Sequence, residues 1–193
     1  MSISLIMRMI DPAVADEITR TPEKAGDVLF PKLPQTTSKG GFLSFLGKSQ
    51  PKPQVMIDWK QVYHVAEVID LQPGGEALHY LLTGGSRPFE GKGENEWICP
   101  GSKYHIGSES EAIFLIHCNE VFEFLAAVRA LDEPMMRSRF NPSEMNSLPI
   151  GFCDWTDSPE DHFQIILTQH NQLLNFLTKA HEQGKALLSG LLM

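Results

Sequence analysis

The chain has 193 residues, 42% hydrophobic and 21% charged, with 16 lysines and arginines against 24 aspartates and glutamates, a formal net charge of −8. Such a composition suits one globular domain with room for a core and excludes collagen-like, disordered and disulfide-scaffold classes. The acidic balance argues against a nucleic-acid partner, because phosphate binding needs a basic face, and leaves a basic protein as the partner that charge favours.

Cys99, Cys118 and Cys153 form no CxxC pair and cannot all be bridged within the chain. Reduced thiols and a cytoplasmic location are therefore expected. The opening residues lack a basic leader, and nowhere do about 18 apolar residues run together, so neither an export signal nor a membrane span is expected.

Residues 2 to 10 partly alternate polar and apolar side chains, which predicts a strand with one buried face. Asp11-Pro12 opens a short helix, with Asp11 as the cap and Pro12 at the first helical position, and Thr21-Pro22 repeats the signal. Residues 31 to 54 hold Pro31, Pro34, Pro51 and Pro53 together with Lys32, Lys39, Lys48 and Lys52, without one acidic residue, and read as an inserted loop. Within it, Phe42, Leu43, Phe45 and Leu46 lie between glycines. Docking of this cluster on its own domain is the simpler expectation, and a partner-binding plug through Phe42 and Phe45 is the functional one.

From Asp58 to Thr83 the pattern reads as two helical pieces broken at Gln72-Pro73-Gly74-Gly75, the second ending at Gly84, a left-handed cap residue. Gly85 to Gly93 is a polar surface loop. Ala112 to His117 has strand length and composition, and Asn119 to Leu131 follows with helical spacing, Val121, Phe122, Leu125, Val128 and Leu131 on one side. Short helices begin at Pro134 and at Asn141-Pro142. The clearest element runs from Ser158, read as its cap, with Pro159 in the first position and Glu160-Asp161 at the positive end of the helix dipole. Its stripe comprises Phe163, Ile166, Leu167, His170, Leu174, Leu177 and His181, up to Gly184. Ala186 to Met193 completes the chain as a strand. The fold expected is a single compact α+β domain over residues 1–193, helix-rich, with a small mixed sheet and a long C-terminal amphipathic helix followed by a terminal strand.

Leu78-His79-Tyr80-Leu81-Leu82-Thr83-Gly84, the stretch from Leu131 through Arg139-Phe140 to Met145, and the closing helix before Gly184 resemble the YfbM-like family, small bacterial proteins of uncharacterised function. The resemblance implies an α+β single domain and carries no agreed catalytic residues. Where relatives tend to have Tyr-Pro ahead of the last long helix, this chain has Pro149-Ile150-Gly151-Phe152-Cys153-Asp154-Trp155.

Chemical motifs are scarce. Gly41 to Ser49 imitates a phosphate-binding loop, but five residues separate its glycines where the motif needs four, so no nucleotide is expected there. Seven histidines and three cysteines include no CxxC, HxxxH or HExxH, so no metal or other cofactor is expected, and His170 and His181 read as core histidines. Nucleophilic motifs are also missing from the sequence.

Two functional readings follow. Residues 105–193 hold twelve acidic against five basic residues, and Asp154, Asp157, Glu160 and Asp161 gather beside Trp155 as an aromatic anchor rimmed by carboxylates. That predicts a non-catalytic cytoplasmic protein-binding module, of which an immunity-type antagonist of a basic toxin is one form. The alternative is a small-molecule enzyme or ligand-binding protein with a cleft between the Leu78–Gly84 helix end and the Trp97–His105 loop, His79 or His105 acting as acid/base and Ser102 or Tyr104 positioning substrate.

Overall fold

A computed structural model describes residues 4–30, 67–85, 105–106, 113–148, 150–151 and 153–192. A five-stranded sheet organises them. β1 (Ser4–Ile10), β2 (Val68–Asp70), β3 (His105–Ile106), β4 (Ile113–Ile116) and β5 (Ala186–Leu192) stand in the order β2-β1-β5-β4-β3. Every pairing is antiparallel, where a mixed sheet was expected. β5 is the central strand, matched along its whole length to β1, from Ser4 opposite Leu192 to Ile10 opposite Ala186.

Alternation along the strands divides the interior between two faces. Leu5, Met7, Met9, Phe114, Ile116 and Leu187 meet a helical layer built from α3 (Gly75–Thr83), α4 (Val121–Ala130) and α7 (Pro159–Glu182). Ile10, Ile113, Leu115, Ala186 and Leu188 meet Val14, Ala15 and Ile18 of α1 (Pro12–Arg20) and Ala25, Val28 and Leu29 of α2 (Ala25–Leu29). Helices thus cover both faces, and the protein is a single α+β domain. Two short helices, α5 (Glu133–Arg139) and α6 (Pro142–Ser147), carry the chain from α4 toward α7. No helix among the described residues is long and apolar enough to cross a membrane.

Several local expectations are revised by tertiary contacts. The first of the two helical pieces between Asp58 and Thr83 is, over its described part, strand β2: the β-branched pair Val68-Ile69 lies along β1, and Asp70 Oδ1 accepts the Gln72 N–H at 3.1 Å to turn the chain. On α4, Phe122 is 56% exposed and Phe124 takes the buried place, because Val121, Phe124, Leu125 and Val128 are spaced i, i+3, i+4, i+7. Asp11 starts α1 without a side-chain cap, its carboxylate pairing with Lys185 beside β5. Ser158 starts α7 in the left-handed region, φ 53°, so its hydroxyl caps nothing. Asp132 and Asn141 do cap, accepting the Met135 and Glu144 N–H groups. Gly84 ends α3 at φ 72° as expected. The inserted loop with Phe42 and Phe45 lies outside the described residues.

Candidate functional site

The segment between α6 and α7 is pinned from several sides. Trp155 N–H donates to Asn146 Oδ1 at 2.8 Å, and its indole Nε1 donates to the Ile150 carbonyl at 2.8 Å. The ring meets His162 edge-on at 5.3 Å and Phe140 at 6.5 Å. Trp155 is only 4% exposed. It is a core residue, which corrects its reading as a surface anchor: the indole finds its acceptor inside, so the hydrophobic gain of burying it is kept without an orphaned donor.

The carboxylates around it remain on the surface. Asp154 Oδ1 accepts from Asn146 Nδ2 at 2.6 Å and from the Thr156 N–H at 2.9 Å, and together with the Thr156 hydroxyl these bonds hold its pKa down at about 2. Glu160 takes both arms of Arg137 at 2.8 and 3.1 Å and Gln164 Nε2 at 2.9 Å, which likewise brings its pKa to about 2. Arg137 stacks over Phe163 at 4.1 Å, so the pair is braced against the core. Asp157 and Asp161 are exposed.

Beside this acidic surface the first turns of α7 enclose a pocket of about 100 Å³ with the turn that precedes α3, lined by Pro73, Gly74, Cys153, Trp155, His162, Ile165 and Ile166. His162, Ile165, Ile166 and Gln169 recur at helical spacing, which turns them together toward Pro73-Gly74. A Cβ at Gly74 would lie 2.3 Å from Gln169 Oε1, so a side chain there would make the end of Gln169 swing aside. Burial pushes the Cys153 thiol upward, so it stays protonated at neutral pH and is a poor nucleophile. Among the described residues, His162 Nδ1 and Gln169 Oε1 are buried without a hydrogen-bond partner.

The alternative cleft is not assembled among the described residues. His79 is 1% exposed inside α3, its Nε2 3.3 Å from the Thr83 hydroxyl of the next turn. Tyr104 and the rest of the loop from Trp97 lie outside the described residues, and His105 is placed only as a β3 backbone position opposite Phe114. His170 is buried and its Nε2 lies 2.9 Å from the Val128 carbonyl, whereas His181 is exposed against the Phe122 ring, a correction to its assignment to the core. No group of three or more metal-ligating side chains occurs among the described residues.

Of the pocket residues, Trp155 stands out in the sequence as an aromatic among carboxylates, and the others belong to no motif. On α7 the spacing of His162, Ile165 and Ile166 was the available signal, but their opposite wall at Pro73-Gly74 is far away in sequence.

An antiparallel sheet with helices on both faces and an acidic helix start beside a small apolar pocket defines a compact α+β class with no assembled catalytic centre among the described residues. The chain belongs to the YfbM-like family described as a domain of unknown function, DUF1877, whose model matches residues 1–189. Its fold is similar to that of a protein of unknown function, YfbM from Escherichia coli, with a TM-score of 0.66 at 13% identity, covering 98% of this chain and 99% of that one. No curated protein matches.

Proposed function

We propose that the protein is a non-catalytic binding module acting in the cytoplasm, which meets a basic protein through the surface carrying Asp154, Asp157, Glu160 and Asp161. An immunity-type antagonist of a basic toxin is the concrete form this takes. The observation that carries the reading is that these four carboxylates are exposed on one pinned segment, two of them held ionised by Asn146, Thr156, Arg137 and Gln164. Preorganised like charge raises association rates with a partner of opposite sign. The cleft at His79 takes second place, because an imidazole 1% exposed inside a helix presents no ring nitrogen to a substrate.

The test begins with capture at low salt and proceeds to titration of the purified partner. A basic partner is expected whose affinity falls steeply with salt, and Asp157→Lys with Asp161→Lys should weaken it by more than about tenfold, chiefly through slower association. A complex indifferent to both substitutions and to salt would sink the proposal.

A further inference from the structure

The pocket beside the acidic surface is selective by size. At about 100 Å³, below the roughly 150 Å³ of an engineered cavity that accepts benzene, it suits a four-carbon aliphatic side chain better than a bicyclic indole. Its wall consists of Pro73, Gly74, Ile165 and Ile166, the Trp155 and His162 rings and the neutral Cys153 thiol, a lining that leaves a charged group entering it without compensation. The wall is also fixed in place: Trp155 is held by two hydrogen bonds, and Gly74 packs directly against Gln169. A preformed socket loses little conformational freedom on being filled.

Exposed carboxylates adjoin the lining residues in the sequence. Asp157 follows Trp155 by two residues, and Asp161 precedes Ile165 by one helical turn on the same face. Ile165 is 41% exposed at that boundary, an apolar side chain waiting for cover. Resting on the reading of this surface as a protein-binding face, we infer that the pocket is the socket for one aliphatic side chain, leucine, isoleucine or methionine, which the basic partner presents between lysines or arginines. The flanking cations pair with Asp157 and Asp161 while the aliphatic group displaces water from the socket.

Short lysine-flanked peptides that differ only in a central Leu, Trp or Ala test this on the unmodified protein, with binding followed through the amide resonances of residues 153–166. The leucine peptide should bind on the order of tenfold tighter than the alanine one, the tryptophan peptide no better than alanine, and the leucine-to-alanine ratio should survive high salt while every affinity drops. Cys153→Phe, checked for an unchanged melting temperature, should fill the pocket and bring that ratio to one with the lysine dependence intact. Equal, salt-sensitive binding of all three peptides overturns the socket and leaves the acidic-surface reading standing. A leucine peptide with serines in place of its lysines that binds just as tightly upholds the socket and overturns the basic partner. Absence of binding by the leucine peptide overturns the socket.

Discussion

Glu76 stands in the first turn of α3, half-buried, with Oε2 accepting the Gly151 N–H at 2.6 Å. Burial raises its pKa against the lowering effect of that bond. Glu76→Gln should keep the acceptor and drop the cost of a desolvated charge, leaving stability at neutral pH unchanged or slightly higher. Glu76→Ala should lose about 1–2 kcal/mol in urea unfolding by orphaning the Gly151 donor. Asp154 and Glu160 carry the opposite sign: with folded values of about 2 against ordinary ones of 3.8 and 4.5, their contribution is fully present above the ordinary values and is lost as pH falls through the folded ones. The gap in urea midpoint between wild type and Asp154→Asn or Glu160→Gln is therefore expected to be widest near neutrality and to close toward pH ~2. At this scale little of the site was legible in advance. The carboxylates of 154–161 were visible as charge, but no sequence pattern says that Trp155 finds its acceptor at Ile150 and turns inward.

Elements were more legible where periodicity and punctuation agree. α7 follows its apolar stripe and stops before Gly184, and the Pro at position 12, 134, 142 or 159 falls in the first turn of each helix it enters. β2 misled because its three residues are too few for a period and its partner β1 lies some sixty residues earlier. The end of α3 depends on a distant group as well. Arg139, at the end of α5, donates from Nη1 to the Leu81 carbonyl at 2.7 Å and to the Leu82 carbonyl at 3.2 Å, covering acceptors that the last helical turn leaves open. Arg139→Ala should cost about 1–2 kcal/mol and speed hydrogen exchange in residues 75–84, and Arg139→Lys should recover part of the loss because an ammonium reaches one acceptor well.

Across the whole molecule the two cores share one sheet, with Phe114 and Leu115 of β4 pointing to opposite sides. Phe163→Ala in the larger core should lower stability by about 3–5 kcal/mol, and Ile18→Ala in the smaller by about 2–5 kcal/mol. Both should shift one common transition monitored by far-ultraviolet circular dichroism and tryptophan fluorescence; separate transitions would show that the α1–α2 layer unfolds on its own. The α+β class was readable from the mixture of a strand-like start, a long amphipathic helix and a closing strand. Strand order was not, since antiparallel neighbours joined by long connections leave no trace in local pattern.

The place of β5 has a consequence for synthesis of the protein. It is the central strand yet follows every other described element in the chain, joining β1 on one side to β4 on the other. Until residues 186–192 leave the ribosome, β1 with β2 and β4 with β3 have no common neighbour, and two-stranded ribbons of that kind are marginal in water. The elements made before β5 therefore wait with the inner edges of β1 and β4 unpaired, which are the edges that attract other chains. A shortage of chaperones during translation thus bears on a fold like this one, whose keystone is made after the strands it joins.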